Sequence, residues 1–295
     1  MNFIDYYILN FPQSWQINLG STVDDAVREF SRTNQEELRA VRSAVIGAIN
    51  GIHSVLQAVP WIVLVIAVAA LGWWLSRKWY TGLAFGALLS FVGFAGLWPQ
   101  MLQTLSLVIT SVLLCIILGF PMGVLLAMNA RVNSIIRPVL DTMQTMPSWV
   151  YLVPAVMLFS VGITPALIAT TIYAIVPIIR LTSHGLVYVD KEMLEAAYAF
   201  GSTRIQTLVK VQIPQAMPTI MTGINQTIMM AVAMVVTSAL IGANGLGMEI
   251  LLATNRVEMG RALLPGVSIV IVAIILDRLT QYAVKRNAGA GKKNV

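Results

Sequence analysis

An all-α, polytopic membrane protein is the fold class this sequence predicts, and three observations carry it. Of 295 residues, 57% are hydrophobic and only 11% charged, where soluble domains carry about a quarter charged. Several apolar runs approach or exceed the roughly 18 to 20 residues that an α-helix needs to cross a bilayer core. The basic residues behind the net charge of +6 lie in short segments flanking those runs. That is the pattern that sets membrane topology, not a nucleic-acid footprint. About seven spans are expected.

Residues 1–20 carry Asp5 and no basic start followed by an apolar run, so no cleavable signal peptide is expected. From Asp24 onward the chain reads as helix, with Val23, Ala26, Val27 and Phe30 on one side. Thr33 with Glu36 has the spacing of a capping box opening a second helix. Leu38, Val41, Val45, Ile49, Ile52, Leu56 and Val59 follow at alternating three and four spacing. Such a stripe either lies at the membrane surface or packs on the later spans. His53, within it, reads as a tolerated interfacial residue.

The first span runs from Pro60 to about Ser76, with Trp61, Trp73 and Trp74 at its two interfaces. Arg77-Lys78 closes it. The second, about Trp79 to Leu97, has Gly82 and Gly86 at a spacing that favours close helix contact. The third, Met101 to Met128, contains Gly119-Phe120-Pro121-Met122-Gly123, which offers both a kink and a contact surface. Asp141 to Trp149 leads into a less regular region divided by Pro147, Pro154 and Pro165. Spans four, about 148–162, and five, about 165–182, are expected there, joined by a turn at Gly162-Ile163-Thr164. Both are short, and a re-entrant pair is the other reading. The sixth span runs from about Thr219 to Ile241 and is broken by Gly242 to Gly247. A polar loop to Arg261 precedes the seventh, about Leu263 to Val284.

Alternating the seven spans puts Arg77, Lys78, Arg131, Arg137, Arg180, Lys191, Arg204, Lys210, Lys285, Arg286, Lys292 and Lys293 on one side. The positive-inside rule makes that side cytoplasmic, with the N-terminus outside and the C-terminus inside. The expected organisation is an extracytoplasmic lead-in with an amphipathic helix (1–59), two accessory transmembrane helices (60–98), a five-span core (99–285) and a basic cytoplasmic tail (286–295). The core carries a cytoplasmic polar loop at about 183–218.

Cys115 is the single cysteine, and His53 and His184 are the two histidines. A disulfide within the chain is impossible, and a metal enzyme is not expected. No catalytic constellation is visible, and no GxxxxGK[ST] segment offers a phosphate-binding loop. Charges within the spans are few, which argues against ion-coupled transport. Asp277-Arg278, near the end of the seventh span, is the exception and is read as paired or snorkelling.

The longest polar interruption in the apolar second half is Asp190 to Pro214. Met193, Leu194, Ala197 and Phe200 lie together on a helix, Gly201 supplies a stop, and a second helical run from Thr203 is expected to end near Pro214. Glu195-Ala196-Ala197, three residues, Gly201, nine residues, then Val211-Gln212-Ile213-Pro214 resembles the EAA loop of ABC importer permeases. The family pattern has Ile and Leu where this chain has Val211 and Ile213. The resemblance implies a type I ABC importer permease-like fold in which this loop docks on a separate ATPase. Glu195 would then give a polar contact, Ala196 and Ala197 close approach, and Gly201 the bend.

Further stretches, Arg137 to Phe159, Pro177 to Leu181, Val211 to Met229 and Ile274 to Gln281, look like the permease subunit of glycine betaine/proline betaine importers and their choline, carnitine and histidine relatives. The resemblance implies two permease copies, two cytoplasmic ATPase subunits that hold the ATP and Mg, and a separate extracytoplasmic substrate-binding protein, in a bacterial inner membrane. No cofactor is expected on this chain. A quaternary ammonium substrate favours aromatic faces, so Trp149, Tyr151, Phe159 and Tyr173 are candidates for its path, with packing as the alternative. Asn225 and Gln226, amides within a span, face either the path or the second permease copy. An amino-acid importer such as one for histidine is the alternative function, followed by an ion-coupled carrier.

Overall fold

The computed structural model describes the backbone of residues 19–291 and the side chains of 20–283. The signal-peptide reading of residues 1–20 therefore falls almost wholly outside the described residues, as do Lys292 and Lys293. Among the described residues, every regular element is helical.

Helices α1 (Leu19–Thr33) and α2 (Gln35–Ala58) form the lead-in. The expected Thr33–Glu36 capping box does not form. Asn34 occupies the cap, and its side-chain amide donates back to the Phe30 carbonyl at 2.9 Å instead of accepting from the new helix. The apolar stripe of α2 packs inward: Ile49 is buried, Leu56 joins the cluster around Val92 and Met101, and His53 Nδ1 lies 3.1 Å from Ser106 Oγ. That settles its two sequence readings in favour of packing. Val59 is extended and Pro60 follows, so α2 meets α3 (Trp61–Ser76) at 94°.

Helix α4 (Trp79–Phe94) returns against α3, and the small residues explain the fit. A β-carbon on Gly82 would lie 2.6 Å from the Ala69 carbonyl oxygen. Helix α5 (Trp98–Met128) is the longest of the central elements. Its buried hydroxyls Ser106, Thr110 and Ser111 each donate to a carbonyl one turn back, so their protons need no acceptor on another helix.

A helix the sequence reading did not anticipate follows, α6 (Ala130–Thr145). The Asn129 side chain accepts from the Arg131 and Val132 N–H groups and so opens it. It ends where Met146 adopts the extended backbone that Pro147 requires. Helix α7 (Ser148–Phe159) has 12 residues, only about 18 Å of rise. Ser160 and Gly162, both at positive φ, then reverse the chain into α8 (Ile163–Ala174) and α9 (Val176–Val187). These two run on as one 25-residue apolar unit, longer at both ends than the expected fifth span.

Helices α10 (Lys191–Ala199), α11 (Arg204–Thr207), a π-turn (Leu208–Gln212) and α12 (Ile213–Ala239) come next. The region expected as a polar loop before Arg261 instead holds α13 (Leu246–Asn255), and α14 (Met259–Gly291) ends the described chain. Among the described residues, four helical units are long and apolar enough to cross a membrane, or five if the bent α2–α3 pair counts as one. Helices α3, α4 and α7, at 16, 16 and 12 residues, fall short of a core of about 30 Å by length alone.

The centre of the bundle is α5, α9 and α12. Val108, Val112, Cys115, Ala174, Ile178, Ala231, Val232 and Val235 form one buried cluster there. Gly119 and Gly123 of α5 bring the α9 backbone close: a β-carbon on either would lie 2.6 Å from Ile178 or Thr182. A second cluster, from Phe85, Leu89 and Met101 to Ile271, Val272 and Ile275, joins the α3–α4 hairpin to α14.

Candidate functional site

The polar segment between α9 and α12 is an elbow of two helices. Asp190 caps α10 by accepting from the Glu192 N–H at 3.0 Å. At the other end Gly201 adopts φ 78°. Its N–H donates to the Tyr198 carbonyl at 2.9 Å, and the Ser202 N–H donates to the Ala197 carbonyl at 3.1 Å. These two bonds are the paired C-terminal closure that needs a left-handed residue after the helix. The Thr203 side chain then accepts from the Gln206 N–H while Gln206 Oε1 accepts from the Thr203 N–H. That reciprocal box starts the next helix at once. The bend is therefore bonded on both sides of Gly201.

The second run does not end near Pro214, as its sequence suggested. The chain stays helical without interruption from Arg204 to Ala239. Pro214 has no N–H to give the preceding turn, and the π-turn over Leu208–Gln212 lets the Ile213 N–H reach the Leu208 carbonyl instead. A wider turn before a proline keeps the backbone paired. The second arm of the elbow is thus an extension of α12.

Leu194, Leu208 and Ile213 anchor this elbow on a small core of Leu186, Val189, Ala216 and Ile220, drawn from the ends of α9 and α12. Glu195 and Ala196 are exposed, Ala197 and Val211 half-buried, and Pro214 exposed. Phe200, grouped with the inward residues by its spacing, is instead 91% exposed. Met193, Tyr198, Ile205 and Val209 are also exposed. Sequence reasoning, which grouped Met193 and Phe200 with Leu194 and Ala197, missed this outward apolar set.

The other singled-out residues separate. Tyr151 and Tyr173 meet edge to face, with ring centroids 6.0 Å apart, beside Leu152, Ala169 and Met234. Tyr151 also donates its hydroxyl to the Met143 carbonyl. Trp149 is 58% exposed on α7, and Phe159 is buried. Asn225 turns toward α14 and donates to Asp277 Oδ1 at 2.6 Å, while the neighbouring Gln226 is exposed. Asp277 is therefore paired, and it also accepts from Gln281 at 2.8 Å.

A helical bundle with an exposed two-helix elbow, one arm of it continuous with a span, is the fold of an ABC importer's membrane subunit. The chain of the inward-facing MetNI methionine ABC transporter has that fold, superimposing with a TM-score of 0.53 at 24% identity over 64% of this chain and 92% of that one. This chain belongs to the family of binding-protein-dependent transport system inner membrane components, whose model matches residues 116–289. It is a multi-pass inner-membrane protein. It is 42% identical to the glycine betaine transport system permease protein OpuAB of Bacillus subtilis, over 90% of this chain and 94% of that protein. It is 44% identical to the glycine betaine/proline betaine transport system permease protein ProW of Escherichia coli, over 86% of this chain and 72% of that one. The glycine betaine/carnitine transport permease protein GbuB of Listeria monocytogenes is 43% identical over 92% of this chain.

Proposed function

We propose that this chain is the permease subunit of an ATP-driven importer for glycine betaine, proline betaine or a related quaternary amine. The observation that carries the reading is the elbow at residues 190–214, exposed, bonded at its bend and continuous with α12. Relatives named as glycine betaine permeases over nearly the whole chain supply the substrate class. In this reading two copies of the chain pair with two cytoplasmic ATPase subunits, which hold ATP and Mg, and a separate binding protein delivers the substrate outside.

Docking of an ATPase on Tyr198, Phe200 and the exposed EAA residues moves the elbow. Because Arg204 to Ala239 is one helix, that movement becomes a tilt of α12 and a change of access between the two sides. The chain itself contributes no hydrolytic chemistry. Its elbow lies on the cytoplasmic side, with the N-terminus outside. Tyr151 and Tyr173 supply aromatic faces near the path, a suitable surface for a quaternary cation.

Proteoliposomes carrying this chain, its ATPase and its binding protein test the reading. ATP-dependent uptake of labelled glycine betaine, displaced by proline betaine, is the expected result. Displacement by histidine in preference to the betaines would instead make it an amino-acid importer. Uptake driven by an ion gradient without ATP would overturn the proposal.

A further inference from the structure

Asp277 places a carboxylate, 19% exposed, on α14 within a bundle made mostly of apolar side chains. Three groups face it. Asn225 Nδ2 on α12 donates at 2.6 Å, Gln281 Nε2 donates to both oxygens at 2.8 Å, and Arg278 Nε lies 3.9 Å away. Gln281 and Arg278 belong to the carboxylate's own helix, whereas Asn225 reaches it from another. Elsewhere α12 and α14 meet through apolar side chains, with Ile269, Ala273 and Leu276 against Ala231, Val232 and Val235. Apolar contact is non-directional and sets spacing, but a charge-assisted hydrogen bond also fixes register.

The position of this bond matters. Asn225 lies on the same unbroken helix as the second arm of the elbow, about 18 Å beyond Ile213. In the two turns before Asp277, α14 packs through Ile271, Val272 and Ile275 onto Phe85 and Leu89 of the α3–α4 hairpin. Asn225 also accepts a cost for the bond, since its Oδ1 is buried without a partner. An apolar residue there would leave no such orphan.

We propose that Asn225 and Asp277 are positioning residues that lock α12 and α14 into one mechanical body, so that a displacement of the elbow reaches the last span and the accessory hairpin. The proposal rests on the transport reading above. The test is the ratio of ATP hydrolysed to glycine betaine imported, in proteoliposomes holding the full complex. The double variant N225L/D277L removes donor and acceptor together, a change that cores commonly tolerate. It also takes the acceptor from Gln281, so it should assemble with slightly lowered thermal stability yet raise the ratio by about fivefold or more, the lower end of ordinary coupling between sites. D277N keeps an acceptor for Asn225 and should restore the wild-type ratio.

A wild-type ratio in the double variant would overturn the proposal. Should that variant fail to assemble, N225C/D277C joined by a short thiol-cleavable cross-linker decides. Uptake at the uncross-linked rate supports a single body, and uptake blocked until the link is reduced overturns it. Absence of ATP-dependent uptake by the wild-type complex would be a different failure, that of the transport reading itself.

Discussion

Gly123 on α5 lies directly against Thr182 on α9: a β-carbon at position 123 would come 2.6 Å from Thr182 Cβ and 2.8 Å from the Ile179 carbonyl oxygen. Both obstacles are buried, and one is backbone, so neither can step aside cheaply. Gly123→Val should therefore push α5 from α9 and destabilise the bundle by about 1–3 kcal/mol, the ordinary cost of overpacking. Thermal unfolding in detergent measures this. Gly86→Ala, where the nearest atom would be 3.4 Å away, should leave the melting temperature nearly unchanged.

Thr104 makes a second long-range tie. Its hydroxyl accepts from the buried Leu246 N–H at 2.9 Å and so holds the start of α13 against α5. Thr104→Val keeps the shape and removes the acceptor. A buried N–H left without a partner costs about 1–3 kcal/mol, so the expected outcome is a lower melting temperature with normal membrane insertion. Cleavage by an added protease between residues 240 and 246 should rise in parallel.

The outward apolar set on the elbow makes a different prediction. Phe200 touches little of its own chain, being 91% exposed, so Phe200→Asp should leave the melting temperature unchanged. If this surface receives the ATPase, the same variant should reduce co-purification of that subunit by about tenfold, equivalent to about 1.4 kcal/mol at the interface. Unchanged co-purification would move the docking surface elsewhere.

Much of this was legible in the chain, and the reasons are physical. Apolar length located α5 and α12, and small residues at one-turn spacing marked the α3–α4 and α5–α9 contacts, because both are properties of single helices. The elbow was legible because Gly201 and the residues around it bond locally. What failed depended on competition or distance. Thr33 lost the cap to Asn34, one residue on. The helix end expected near Pro214 did not occur, since a proline in the first turn of a helix is tolerated and the π-turn over Leu208–Gln212 keeps the backbone paired ahead of it. Asn225 and Asp277 each stood out as polar groups in apolar spans, but 52 positions separate them, and no local pattern reports such a pair. Helix α6 was hidden because its amphipathic run contains Pro138 and carries charges that read as loop.

The central claim is that the bend at Gly201 converts ATPase movement into transport, and position 201 tests it most directly. A β-carbon there would meet nothing within 4 Å, so the only obstacle to substitution is φ 78°. A β-branched residue in that conformation costs about 1–2 kcal/mol, whereas asparagine tolerates it. In proteoliposomes with the ATPase and binding protein, Gly201→Val should assemble and hydrolyse ATP but lose most glycine betaine uptake, while Gly201→Asn retains much of it. Wild-type uptake per ATP in Gly201→Val would contradict the account.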